Sequence, residues 1–126
     1  MTGSTILAVG LGGFLGAIAR AYIVHLSNKT FASDFPYGIL GVNLLGSFLI
    51  GCLFALFAVQ NFSTESKSFL STGFLGAFTT YSTFAIESFF LLETSFFLGL
   101  ANVLFNVCGS ILAAASGYKI FHFFLK

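Results

Sequence analysis

The sequence predicts an all-α membrane protein, a single domain over residues 1–126 with four transmembrane helices. Three observations carry that prediction. Of the 126 residues, 57% are hydrophobic and only 7% are charged, whereas a soluble domain carries about a quarter charged residues. The mean hydropathy is +1.00. The apolar residues also fall into four long stretches, and a bilayer core of about 30 Å takes roughly 20 residues at about 1.5 Å each.

The first span covers about residues 5–24. The preceding Met1-Thr-Gly-Ser lacks the basic n-region of a cleaved secretory signal, so this helix is expected to stay. The second covers about 39–59, after a Ser27–Pro36 connector that holds the single proline. The third covers about 69–92, after an Asn61–Lys67 connector. The fourth covers about 95–123, after a short Glu93-Thr94 link. Small residues recur at four-residue spacing within them: Gly12 with Gly16, Gly13 with Ala17, Gly51 with Ala55, and Gly109, Ala113 and Gly117. Such seams let helices approach closely in lipid, where hydrophobicity gives them no reason to associate. Cys52 and Cys108 fall inside spans and read as small hydrophobes, with no disulfide framework or metal-binding spacing. A formal charge of +1 leaves no nucleic-acid footprint.

Orientation follows Lys and Arg in the loops, and here the balance is close to even. The side with both termini and the Asn61–Lys67 loop holds Lys67, Lys119 and Lys126. The other holds Arg20 and Lys29 against Asp34 and Glu93. A chain so weakly biased can insert both ways and pair as an antiparallel dimer. Insertion in one direction is the alternative. Four helices of this length enclose little pathway by themselves, so an oligomer is expected.

Polar groups inside apolar spans are costly unless partnered or wet, which makes each a functional candidate. Asn43 and Ser47 lie one turn apart on the second span. Asn102, Asn106 and Ser110 recur every four residues down the fourth. One reading is interhelical glue and the other is a pathway lining. Amides and hydroxyls offer donors, and no carboxylate sits near the middle of the stripe. Such a lining suits an anion that accepts hydrogen bonds better than a proton or metal-cation relay. Arg20 and Lys119 lie near span ends, where snorkelling explains them. Glu87 falls within a turn or two of the end of the third span and is a candidate for an aqueous vestibule. His25 and His122 read as interfacial.

The third span holds Gly73-Phe-Leu-Gly-Ala-Phe-Thr-Thr-Tyr-Ser-Thr-Phe-Ala-Ile-Glu87. Its hydroxyls compete with the helical ladder, and Thr79, Thr80 and Thr83 are β-branched. A helix break near Gly76 to Thr80 is therefore predicted. The alternative is an unbroken helix whose Ser and Thr bond back one turn. Broken backbone at membrane depth must be buried or line a cavity, and its freed carbonyls can hold a small monovalent cation. Tyr81 and Phe84 share a side, and their positive ring edges can meet an anion. Among 19 Phe residues, periodicity does not single them out.

At this point the chain resembles, over essentially its whole length, the Fluc (CrcB) family of fluoride channels. Four segments carry the resemblance: Gly12-Gly-Phe-Leu-Gly16-Ala-Ile-Ala-Arg20, Gly38-Ile-Leu-Gly-Val-Asn43-Leu-Leu-Gly46-Ser47-Phe48, Gly73-Phe-Leu-Gly76-Ala-Phe-Thr79-Thr80-Tyr81-Ser82-Thr83-Phe84, and Asn106-Val-Cys-Gly109-Ser110. The resemblance implies a dual-topology dimer of antiparallel subunits in the bacterial cell membrane, passively exporting fluoride through two pores at the dimer interface. It implies a central structural sodium ion on the backbone carbonyls of Gly76 and Thr79. It implies a fluoride pathway of Asn43, Tyr81, Phe84, Asn106 and Ser110, with Ser82, Thr83 and Glu87 near its exit and Arg20 at a vestibule.

The chain departs from the family pattern at Tyr81, where Phe is usual, and at Ala114, which shortens the polar track. Ala21, with Tyr22 beside it, replaces a common Tyr. Some members of the family work as two different subunits, so a heterodimer with a paralogous partner stands beside the homodimer. Two other functions remain open. A small dual-topology proton-coupled exporter needs a membrane-embedded carboxylate, and the first, second and fourth spans hold no acidic residue. A structural membrane subunit would pass no ion at all.

Overall fold

All the helices but the second begin where a side chain accepts from one of the first free N–H groups. The computed structural model describes all 126 residues, Met1–Lys126. Helix α1 (Gly3–Thr30) starts at Thr2, whose hydroxyl accepts from Thr5 N–H. Helix α2 (Tyr37–Val59) follows Pro36, whose ring fixes φ for helix entry. The third span begins at Ser63, which caps Ser66 N–H.

That third span is two helices. Helix α3 consists of Thr64–Lys67, a π-helical Ser68–Leu75 and a last turn Gly76–Phe78. Thr79 and Thr80 are then both extended, with φ/ψ of −92°/161° and −149°/123°. Helix α4 (Tyr81–Thr94) restarts under the Thr80 hydroxyl, which accepts from Thr83 N–H at 3.3 Å. The break predicted for Gly76 to Thr80 thus falls at its C-terminal end, and Gly76 itself is helical. Helix α5 (Phe96–Leu125) starts at Ser95. The expected Glu93-Thr94 link is instead the single residue Ser95, because the Thr94 hydroxyl bonds back to Phe90 O and Leu91 O and completes α4.

The helices also outrun the expected spans. The first was expected to end near residue 24 but continues to Thr30, since polar residues such as Ser27 and Lys29 prolong a helix into the interface without breaking it. Arg20 therefore lies ten residues before the end of α1 rather than near it, roughly 15 Å by helical rise.

The main packing pairs are α2 with α5, α1 with α3, and α4 with α5. Glycine closes the first two. A Cβ on Gly12 or Gly16 would collide with Phe69 O or Phe74 O of α3, and one on Gly51 or Gly117 would collide across the α2–α5 seam with Ala114 O or Phe48 O. The small-residue seams read from sequence are thus consumed inside one chain. The apolar core is small, with Val42, Leu75 and Phe78 at its centre. Only 21 of 126 residues are buried, so a lone chain has too little interior to enclose a passage. Its four long apolar spans, Gly3–Thr30, Tyr37–Val59, Thr64–Thr94 and Phe96–Leu125, make it a multi-pass membrane protein.

Candidate functional site

The break fixes the site. In an unbroken helix Thr80 N–H would bond Gly76 O, and Thr83 N–H would bond Thr79 O. Here Thr80 N–H donates to Asn43 Oδ1 at 2.8 Å, and Thr83 N–H turns to the Thr80 hydroxyl. Asn43 Nδ2 donates back to Thr80 O at 3.0 Å. One amide side chain on α2 therefore stands in for a backbone strand, pairing both polar groups of Thr80. An extended residue at membrane depth is tolerated because of that pairing.

Asn43 is in turn tied to α5. Its Nδ2 also donates to Asn106 Oδ1 at 2.8 Å. Asn106 Nδ2 donates to Asn102 O and Asn102 Oδ1 at 2.9 and 3.0 Å, and Asn102 Nδ2 donates to Ser88 Oγ on α4 at 2.9 Å. Asn102 and Asn106 are 0% and 4% exposed. The polar stripe on the fourth span is therefore divided: its first two members form interhelical glue, and Ser110 does not join them.

Ser110 instead lines an open groove of about 270 Å³ with Asn43, Ser47, Thr79, Thr80, Tyr81, Phe84, Asn106, Val107 and Ile111. Five of the nine expected pathway residues meet there: Asn43, Tyr81, Phe84, Asn106 and Ser110. Tyr81 stands 77% exposed at the lip while Phe84 is 6% exposed. Their rings meet edge to face at 5.3 Å and 74°. The other four lie elsewhere. Ser82 is exposed on the first turn of α4, and the Thr83 hydroxyl accepts from that of Thr80. Glu87 borders a separate recess of about 380 Å³ with Asp34, Pro36, Phe90, Leu91 and Thr94, and its Oε1 is buried without a hydrogen-bond partner.

Arg20 does not snorkel. Its Nε–H donates to Ala77 O at 2.9 Å, so a cation sits at the C-terminal end of α3, where free carbonyls and the helix dipole favour one. The snorkelling expectation failed because the span was measured only as far as its apolar residues run.

A chain with this order of spans and this site falls within a described family. The family described as "CrcB-like protein, Camphor Resistance (CrcB)" matches residues 7–118. The chain belongs to the CrcB family. Among bacterial relatives, it is 52% identical to "Fluoride-specific ion channel FluC" of Sulfurimonas denitrificans, covering 100% of this chain and 99% of that one. It is 46% identical to the protein of the same name in Nautilia profundicola, covering 97% of each chain. The counterpart in Campylobacter jejuni is 47% identical over 94% of this chain and 98% of the relative.

In this CrcB-family chain the break also frees two backbone carbonyls. Gly76 O and Thr79 O lose their helical partners, and both residues border a second, smaller pocket of about 160 Å³ with Gly46, Ser47, Ile50, Ser71 and Leu75. Neutral carbonyl and hydroxyl oxygens suit a hard monovalent ion. Nowhere do three His, Cys, Asp or Glu side chains converge as a transition-metal site would need.

The sequence reading did not single out Ser88. The signal was available, since Phe84, Ser88 and Leu91 recur at i, i+4 and i+7 and form the buried face of α4. Nor did it foresee that Asn43 would hold Thr80, because their pairing joins residues 37 apart in the chain.

Proposed function

We propose that this chain is a fluoride channel, a transport protein and not an enzyme, that passively exports fluoride across the bacterial cell membrane. Two copies inserted in opposite directions close the open groove of each into a pore. The single observation that carries this reading is the groove itself, where hydroxyls and two ring edges gather beside a helix break. The names and high identity of the relatives support the choice of ion.

The hydrogen-bond inventory supports a division of parts. Fluoride must exchange its water for donors that do not trap it. Both hydrogens of the Asn43 amide are spent on Thr80 O and Asn106, and both of Asn106 go to Asn102. The Thr79 hydroxyl bonds Leu75 O, and the Thr80 hydroxyl bonds Thr83. Ser47, Ser110 and Tyr81 are left as the groove donors with no protein partner. In this reading Asn43 and Asn106 frame the pore, while Ser47, Ser110 and Tyr81, with the ring edges of Tyr81 and Phe84, touch the ion. Neutral hydrogen bonds contribute about 1 kcal/mol each, so several in series replace water without a deep well. Arg20, with guanidinium N–H groups to spare, raises the potential for anions near the break. Ser82, Thr83 and Glu87 belong to the approaches.

The same reading puts a structural sodium ion on Gly76 O and Thr79 O. One chain supplies two carbonyls, and an inverted second chain supplies two more. The ion would fasten the two breaks together by bridging the copies.

Purified chain in liposomes tests the function. A potassium fluoride gradient with valinomycin should give fast fluoride efflux, and an equal chloride gradient should give none. Efflux should also persist without a proton gradient, unlike that of a proton-coupled exporter. Equal fluoride and chloride flux, or no flux of either, would refute the proposal.

A further inference from the structure

Each bond in the chain of amides between the break and α4 has its direction forced by the one before it. Thr80 N–H can only donate, so the Asn43 atom facing it at 2.8 Å is the oxygen. Asn43 must then turn its Nδ2 toward Thr80 O and Asn106, so Asn106 must present Oδ1. The Asn106 amide nitrogen is thereby turned to Asn102, whose backbone O and Oδ1 both accept. That leaves Asn102 only its Nδ2 to offer Ser88. An Asn amide flipped at any point would set two donors or two acceptors face to face. Asn102 is wholly buried and Ser88 is 5% exposed, so no water takes over a missing bond. Neither residue lines the groove.

We infer that Asn102, held by Ser88, is the positioning residue of the site: it fixes the amide orientation of Asn106, and through it the grip of Asn43 on the broken backbone at Thr80. The inference rests on the fluoride-channel reading for its effect on flux, though not for its effect on the break. Asn102 touches no ion. It acts at a distance of two side chains, by making one amide arrangement cheaper than its flipped alternative. Asn102→Leu keeps the volume and removes the two side-chain bonds, to Ser88 and from Asn106, while the backbone O of residue 102 can still accept from Asn106. Asn102→Asp keeps the pattern, because one side-chain oxygen still accepts from Asn106 and the Ser88 hydroxyl can turn to donate to the other. Ser88→Ala removes only the last acceptor and leaves the buried Asn102 Nδ2 without a partner, so the arrangement is held less firmly.

The experiment compares these three variants with the parent chain in liposomes, using fluoride efflux and amide hydrogen exchange as separate readouts. Exchange at Thr79–Thr80 should rise about tenfold in Asn102→Leu and about threefold in Ser88→Ala. It should stay near the parent value in Asn102→Asp, and exchange across the Gly51–Ala55 seam should not change in any of them. Fluoride efflux should fall about tenfold in Asn102→Leu, less in Ser88→Ala, and recover to within about twofold in Asn102→Asp. Unchanged exchange at the break in both Asn102→Leu and Ser88→Ala would overturn the inference, as would a rise spread evenly over all helices. If Asn102→Leu fails to fold, the Ser88→Ala and Asn102→Asp results decide by the same criteria. A parent chain that leaks no fluoride would refute the channel reading, and the exchange data would still judge the positioning role.

Discussion

Asn106 and Ser110 sit one turn apart on α5, both border the same groove, and they are used in opposite ways. Asn106 is 4% exposed and has both amide hydrogens committed inside the chain. Ser110 is half-buried and has no partner. The polar residues of a membrane span are therefore not one class: some stabilise the backbone that shapes a path, and others are free to meet what travels along it. What separates them is whether their donors are already spent, which a sequence pattern does not record.

The largest expected effect lies on the framing side of this comparison. Asn43→Leu leaves Thr80 N–H and Thr80 O unpaired at membrane depth, a cost of about 1–3 kcal/mol for each group. Efflux should drop on the order of a hundredfold, with a clear loss of thermal stability by the unfolding midpoint in detergent. If both stay near the parent values, the break does not depend on Asn43.

Phe84→Ala comes next and bridges the two classes, because this ring is buried and also edges the groove. A cavity cost of about 3 kcal/mol in stability is expected, together with about a tenfold loss of flux. Phe84→Leu should restore stability and leave flux low. Recovery of flux by Leu would make the ring packing and nothing more.

Ser110→Ala should behave as a contact-side change. Stability should hold within about 0.5 kcal/mol, while fluoride efflux falls about fivefold for the loss of one neutral donor. A change in stability larger than the change in flux would move Ser110 into the frame with Asn106.

The smallest effect is expected at Tyr81, whose ring is 77% exposed in the single chain. Tyr81→Phe keeps the ring edge against Phe84 and deletes a hydroxyl, so flux should shift by no more than about threefold. A larger fall would make the Tyr81 hydroxyl a principal donor.

Much of this fold was legible before any coordinates. Hydropathy located all four spans, since length and apolar content are what the bilayer selects. Hydroxyls, β-branching and Gly76 located the break to within a turn. The helix ends were missed because a helix continues past its apolar residues, and Arg20 was misread as a result. At the site, the intramembrane polar pattern named Asn43, Asn106 and Ser110 and the family resemblance named Tyr81 and Phe84, and the structure brings all five to one groove. Their division of labour could not, because it depends on pairings such as Asn43 with Thr80 and Asn102 with Ser88 that cross between helices. Ser82, Thr83 and Glu87 were expected near the pathway's exit; none of them lines the groove, and Glu87 borders the separate recess.

The central claim is that the Ser110 side of α5 faces the passing ion. Cysteine modification tests it directly, with the chain's own Cys108 as control, for it is exposed on α5 and does not line the groove. A small charged thiol reagent applied to parent chain in liposomes should leave fluoride efflux unchanged. The same reagent on Ser110→Cys should block most of it, and fluoride at high concentration should slow the block. Full efflux from modified Ser110→Cys, or equal inhibition of the parent through Cys108, would contradict the account.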